Sequence, residues 1–454
     1  MENTTNKGQN RREFIKASTL AGLTASFIVA GCAQEKHSGQ GRTNFKVAPI
    51  DTVRVGFVGV GHQGSNHMKN LLRIEGVEIK AICDMEEDRV QKIQQWCIDA
   101  GKPKPDGYWG DANGYKKMCQ RDDIDLVYTA TPWELHVPVM VEAMKNGKHA
   151  ATEVPAAITL DQCWEMVETA EATNKHAVMM ENCCYDRMEL MTLNMVRQGV
   201  LGELLHATCG YMHDLRWHKL SRDYYWHMWR LQHSIKRNGD LYPTHGLGPV
   251  AQCMNINRGN QFDYLISEST KTRGLNLYAA EKYGPDDPLA KQKYALGDIV
   301  TTMIRTVGGE TINITHATND PRPYSRDYMV QGTKGLVRKY PEQLAYYEGM
   351  SEGEKWQEFE KLREQFEHPL WKDMEEMSKG AGHGGMDFIE DFRLIQALRK
   401  GTPMDMDVYD AAAWSAVSPL SEQSIAQNGR PVKFPDFTRG KWKTNPPLGI
   451  VRLA

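Results

Sequence analysis

Six residues, Gly59-Val60-Gly61-His62-Gln63-Gly64, follow directly on the apolar run Val53–Val58 and read as a strand, a tight turn and a helix start. That arrangement cradles the pyrophosphate of a dinucleotide: Gly59 permits the turn, Gly61 lets backbone approach the phosphates, and Gly64 lets the helix pack on the strand. The N–H groups and dipole of the opening helix then face the anion. A second apolar run, Val77–Cys83, ends in Asp84, 20 residues after Gly64. At that interval a carboxylate accepts hydrogen bonds from the ribose hydroxyls. Its charge repels a 2′-phosphate, so the cofactor expected is NAD rather than NADP. The 15 histidines raise the question of a metal, but no HExxH and no paired His/carboxylate spacing occurs. No required metal is expected.

The elements that must position these groups alternate in type from residue 51 to about residue 180. The β-rich runs are Val53–Val58, Val77–Cys83, Leu126–Thr131, His149–Glu153 and Ala177–Met180. Between them lie amphipathic stretches such as Glu86–Ala100, Val137–Asn146 and Leu160–Thr173. This alternation predicts an α/β domain with a doubly wound parallel sheet of the Rossmann kind, whose ligands sit beyond the carboxyl ends of the strands. Those ends carry the glycine loop, Asp84, Trp133-Glu134-Leu135-His136 and Glu153-Val154-Pro155. After residue 185 or so the runs Leu204–Tyr211, Tyr264–Thr272, Ile299–Thr306, Thr311–His316 and Tyr328–Gln331 predict a second, α+β domain with a mostly antiparallel sheet. Long polar insertions at 213–238 and 341–380 separate them. Two helical stretches, Met386–Arg399 and Val408–Gln427, are free to pack on either domain.

The chain has 454 residues, with 55 basic and 58 acidic side chains and no Lys/Arg run, which argues against a nucleic-acid partner. Its first 31 residues read as an export leader. Asn10-Arg11-Arg12-Glu13-Phe14-Ile15-Lys16 resembles a twin-arginine signal, and the apolar run Ala17–Ala30 after it is too short and too rich in small residues to span a membrane. Val29-Ala30-Gly31-Cys32 resembles a lipobox. Lipidation of Cys32 would anchor the mature protein to a membrane, facing periplasm or cell surface, with residues 32–50 as a flexible tether. The eight other cysteines show no CxxC pair, and export of an already folded protein predicts mostly buried free thiols. Free NAD is scarce outside the cytoplasm, so the cofactor is expected to be loaded before export and kept.

These residues resemble the Gfo/Idh/MocA oxidoreductase family over essentially the whole mature chain. That family joins an N-terminal Rossmann domain, here expected at 51–182, to a C-terminal domain with a large open sheet, here 183–454. Several ordered motifs narrow the resemblance to glycoside hydrolase family 109, whose members are NAD-dependent α-N-acetylgalactosaminidases. They are Tyr211 within Gly210–Arg216, Trp229-Arg230, Leu241-Tyr242-Pro243-Thr244-His245-Gly246, Arg322-Pro323-Tyr324, Gly382-His383-Gly384-Gly385-Met386-Asp387 and Ser418–Glu422. The resemblance implies a sugar site lined by Tyr211, Arg230, Tyr242, Pro243, Thr244, His245 and Tyr324. His245 would be the principal acid/base, with Tyr242 and Tyr211 assisting, since proton transfer needs groups of tunable pKa. It implies cofactor contacts from the glycine loop (Gly59, Gly61, His62, Gln63, Gly64), Asp84, Trp133, Glu134, Leu135, His136, Glu153, Val154 and Asn182. His136 could instead cap a helix, Glu153 could be structural, and His383 stands as support for the substrate site.

One departure from the parent family carries weight. Its sugar dehydrogenases usually hold Glu-Lys-Pro where this chain has Glu153-Val154-Pro155, and valine cannot move a proton. The parent's Asp-x-x-x-His pair is also absent around residue 240. The resemblance implies instead a hydrolytic cycle in which C3 of the sugar is oxidised, the C2 proton is removed and the aglycone leaves C1 by elimination. Water then adds and C3 is reduced, with no net redox change. Ordinary glycosidases use two carboxylates for this task. The alternatives are a sugar or cyclitol dehydrogenase of the parent type that exchanges NAD freely, and a sugar-binding lipoprotein without turnover. A homo-oligomer is compatible with all three.

Overall fold

The structure, a computed structural model, describes residues 45–453. The leader and Cys32 lie outside the described residues, and among those described no helix is long and apolar enough to cross a membrane. Strands β1 (Val53–Val58), β2 (Val77–Cys83), β3 (Asp106–Tyr108), β4 (Leu126–Thr129), β5 (His149–Thr152) and β6 (Ala177–Met179) form a parallel sheet in the order β3-β2-β1-β4-β5-β6. Strands β4, β5 and β6 are buried at every position. Both faces are covered by crossover helices, hence their apolar runs. Strand order reverses between β1 and β4, which is where such sheets open their ligand crevice. β3 has no counterpart in the sequence reading because Asp-Gly-Tyr is short and opens on two residues that disfavour strands.

The second sheet has nine strands in the order β14-β13-β12-β11-β7-β10-β9-β8-β15. They are β7 (Leu204–Met212), β8 (Phe262–Ser269), β9 (Ile299–Thr306), β10 (Thr311–Ala317), β11 (Met329–Gly332), β12 (Gly335–Arg338), β13 (Leu344–Tyr347), β14 (Gln357–Glu358) and β15 (Val432–Lys433). Only the β7–β10 pair is parallel, so the sheet is mixed and mostly antiparallel, as expected. The stretch 341–380, read as a polar insertion, contributes β13, β14 and the helix Pro369–Ser378, pieces too short to show a period.

The C-terminal helices divide their packing. Met386–Lys400 lies against the helix His62–Arg73 that follows the glycine loop, and Val408–Ser415 lies against Leu160–Thr173. The stretch expected as one helix, 408–427, breaks at Ala416, and its second half, Val417–Ala426, packs on β8. The expected tether is shorter than 32–50, because Phe45 is buried against His176 and Tyr409 and Ile50 N–H donates to Leu398 O. Apolar Phe45 and Ile50 make that end of the segment part of the core edge. All eight cysteines from Cys83 to Cys253 are free and buried, as the reading expects.

Candidate active site

One cavity of about 560 Å³ opens along the carboxyl ends of the parallel strands and continues to the second sheet. That is within the usual range for a small-molecule site. Its floor is the glycine loop. Gly59 has φ +83°, and a Cβ there would press on Ala130 O at 2.9 Å. A Cβ on Gly64 would collide with Gly59 O, so this glycine serves close helix–strand packing and lies beneath the cavity rather than lining it. Gly61 faces the open space and serves as N-cap of the His62–Arg73 helix without any side-chain cap, so the first-turn N–H groups are available to an anion. Asp84 is fixed by N–H donors from Val60 (2.8 Å) and Glu86 (3.0 Å), one to each oxygen, with Arg89 Nη1 3.7 Å away. These residues fit a dinucleotide: an uncapped helix start, a loop bare of side chains at Gly59 and Gly61, and a positioned ribose acceptor.

Across the crevice the second domain supplies aromatic and basic groups. The helix Thr244–Cys253 lies on β7 so closely that a Cβ on Gly246 would collide with Gly210 N. That backbone contact sets His245 beside Tyr211, ring centroids 5.5 Å apart, with Tyr242 edge-on at 4.9 Å. His245 Nδ1 meets Glu181 Oε1 at 2.7 Å. Glu181 sits at the end of β6, wholly buried, and also accepts from Cys183 N–H at 3.1 Å. The His245 ring is 14 % exposed, so its other nitrogen is the edge open to the cavity. Burial pushes the Tyr211 phenol up to about 12 and Tyr242 well above its usual value, so both remain donors. The Arg230 guanidinium lies over the rings of Tyr242 (4.7 Å), Trp133 (5.1 Å), Tyr225 (5.7 Å) and Tyr211 (5.8 Å).

A second histidine reaches the same cavity. His383, φ +50°, stands between glycines in the turn before the helix Met386–Lys400, and its Nδ1 meets Asp387 Oδ2 at 2.7 Å. The hydrogen bond from this imidazole to Asp387 raises the pKa of His383 above 6.5. Asp387 also accepts from Asn182 Nδ2 at 2.7 Å. Below them Glu153 Oε1 meets His67 Nε2 at 2.6 Å, and His67 Nδ1 meets Asp391 at 2.9 Å. Burial works against the charged ring, but Asp391 and Glu153 together hold His67 well above its usual pKa. Among the described residues one trio of metal-ligating type, Glu181, Cys183 and His245, comes within 4.8 Å. Burial keeps the Cys183 thiol protonated, and the His245 nitrogen on that side is committed to Glu181.

The profile of the oxidoreductase family NAD-binding Rossmann fold (GFO_IDH_MocA) matches residues 53–181, and that of the glycosyl hydrolase 109 C-terminal domain matches residues 185–444. A glycosyl hydrolase family 109 protein of Shewanella pealeana is 46% identical over 451 residues, 97% of this chain and 99% of the relative. This chain belongs to glycosyl hydrolase family 109. Among solved structures, an NAD binding oxidoreductase from Klebsiella pneumoniae superimposes with TM-score 0.66 at 15% identity, over 85% of this chain and 100% of that one. Levoglucosan dehydrogenase in complex with NADH and levoglucosan does so with TM-score 0.65 at 19% identity, over 85% and 99%. Both show the same fold.

In this family 109 chain the residues read from sequence are not all placed alike. Gly59, Gly61, His62, Gln63, Asp84, Trp133, Leu135, His136, Glu153, Val154 and Asn182 line the cavity with Tyr211, Arg230, Tyr242 and His245. Glu134 does not; it turns to His233 Nε2 at 3.2 Å. His136 is buried, with both ring nitrogens at 2.8 Å from backbone carbonyls of Pro155 and Thr131, so it pins two strand ends together. Pro243 and Thr244 start a helix behind the lining, and Thr244 is wholly buried. Tyr324 stands at the rim, 40 % exposed, edge-on to His213 at 5.2 Å. Glu181 and Asp387 were missed as site residues, because their partners are distant in sequence or read as peripheral. His383 had a local signal in its flanking glycines, and His213 lay within a quoted motif.

Proposed function

We propose that this chain hydrolyses terminal α-linked N-acetylgalactosamine, using an NAD that stays bound and ends each cycle in its starting state. The observation that carries this reading is that two histidines, His245 backed by Glu181 and His383 backed by Asp387, open on one cavity beside the dinucleotide crevice. Oxidation of a sugar hydroxyl needs one proton carrier; elimination and rehydration need a second for the leaving oxygen. When bound, NAD⁺ supplies a reversible two-electron oxidation of the sugar carbon.

The chain's own groups do the rest. Glu181 holds the Nδ1 proton of His245, which leaves Nε2 to accept a proton from the sugar hydroxyl or from the adjacent carbon. Tyr211 and Tyr242, kept protonated by burial, donate to the oxygen that becomes negative when that carbon is deprotonated, and Arg230 adds positive potential over their rings. His383, whose hold on a proton is strengthened by its hydrogen bond to Asp387, is the group we assign to protonate the departing aglycone oxygen. Val154 leaves the parent family's lysine position inert. The reading also takes residues 1–31 as a twin-arginine leader and Cys32 as the lipidated anchor, which labelling with radioactive palmitate tests.

A p-nitrophenyl glycoside panel on protein purified with its own cofactor tests the activity. Release of p-nitrophenol from the α-N-acetylgalactosaminide without added NAD, and without absorbance growing at 340 nm, is the expected result. NADH accumulating in step with added NAD and a free sugar would make the chain a dehydrogenase instead.

A further inference from the structure

The stretch 213–238, read from sequence as a polar insertion, is an aromatic wall. Trp217, Tyr224, Tyr225 and Trp229 pack ring against ring, and Tyr225 Oη accepts from Arg230 Nη1 at 3.1 Å. From this base the chain reaches back over the Rossmann domain at two points. The Trp226 indole Nε1 donates to Glu86 Oε1 at 2.8 Å. Glu86 is the residue whose own N–H holds Asp84 Oδ1, so the tryptophan is tied to the segment that presents the ribose acceptor. The Tyr224 ring meets His62, the first residue of the loop helix, with centroids 5.6 Å apart. Directly after Trp226, His227 and Met228 adopt φ +49° and +53°, two consecutive left-handed residues without a glycine. Such residues keep that conformation only where surrounding contacts hold them.

The two contacts bracket the interval from the glycine loop to Asp84, along which a dinucleotide lays its pyrophosphate and ribose. Trp226, Tyr224 and Arg89 all line the cavity over that interval. We propose that Tyr224–Met228 is a clasp across the dinucleotide crevice, closed by Trp226 on Glu86 and by Tyr224 on His62, that slows release of bound NAD. It makes the second domain part of the cofactor site and gives the resident cofactor of the proposed function a physical cause; it rests on that function only for its purpose. A cofactor leaving the crevice must first break the indole–carboxylate bond and lift the two rings.

The test is the rate at which purified protein exchanges its NAD against excess radiolabelled NAD, compared between wild type, Trp226→Ala and Glu86→Gln. Glu86→Gln changes one half-buried surface-loop group and guards against a folding defect in the larger truncation. We expect exchange about tenfold faster in Trp226→Ala, as loss of one well-made contact implies, and a few-fold faster in Glu86→Gln, whose amide oxygen still accepts from the indole but without the carboxylate's charge. Equal exchange rates in wild type and in both variants, each with an unchanged melting temperature, overturn the clasp. If wild type itself exchanges within seconds, the resident-cofactor reading falls, while a rate ratio near ten still upholds the clasp.

Discussion

His245 and Glu181 lie 64 residues apart in the chain, yet the imidazole Nδ1 and a wholly buried carboxylate oxygen meet at 2.7 Å. One partner comes from the end of a parallel strand and the other from a helix that rides on the second sheet. The pair therefore joins the parallel-sheet side of the cavity to the side supplied by the second sheet.

Glu181→Gln keeps the side chain's size but offers an amide that can donate toward Nδ1 and favour the wrong tautomer. By analogy with the buried aspartate of serine-protease triads, kcat should fall by about 10²–10⁴-fold with little change in KM. Steady-state kinetics on the nitrophenyl glycoside decide it. A variant with wild-type kcat removes the orienting role from Glu181.

His383 acts, in this reading, as an acid, so activity is lost as pH rises through its raised pKa, on a limb that lies above 6.5. Asp387→Asn removes the carboxylate charge and weakens the hydrogen bond that together raise it, and the limb should move to lower pH. His383→Ala should cost about 10²–10⁴-fold on substrates with a sugar aglycone and far less on p-nitrophenyl substrates, whose leaving group needs no proton. An equal loss on both kinds of substrate contradicts the assignment.

His67 is a buried imidazole between Asp391 and Glu153, whose carboxylates favour its protonated form. Its folded pKa lies above the unfolded value, so its contribution to stability is complete below about pH 6.5 and is lost as pH rises through the folded value. His67→Ala, which leaves two carboxylates facing each other, should cost about 3–5 kcal/mol. Thermal melts from pH 6 to 10 should show the gap between wild type and variant narrowing as pH rises; a constant gap would mean that packing rather than charge is lost.

Gly64→Ala places a methyl group against Gly59 O and must push the loop off the strand end. The purified variant should carry little NAD by absorbance at 260 nm and regain little on incubation with NAD. Gly61→Ala, whose new methyl would face Arg89 Nη1 at 3.5 Å, is the milder change and should weaken rather than abolish loading.

Much of the first sheet and its crevice was legible because its signals are local. The glycine loop, Asp84 and the apolar strand runs each lie within a few residues of one another, and the bounds of β1, β2 and the helix Leu160–Thr173 came out as read. The site's supports were not legible for the opposite reason. Glu181 finds His245, and Asp391 finds His67, only after two domains have packed, and no spacing announces such a pair. The insertion 213–238 concealed its role behind mean polarity, although Trp217, Tyr224, Tyr225, Trp226 and Trp229 stand in it. Glu134 and Thr244 were assigned by their neighbours in a motif, but adjacent side chains on a turn or helix point in different directions.

The return of the Met386–Lys400 helix to the loop helix has a consequence for the order of events at the ribosome. His67 is synthesised 324 residues before the carboxylate of Asp391 that neutralises it. A nascent chain can align β1 to β6 early, but the seat of Glu153 stays incomplete until nearly the whole polypeptide has emerged. The Glu153 side of the crevice thus matures only after Asp391 has been made, and truncations that remove the Met386–Lys400 helix should be tested first for loss of cofactor binding.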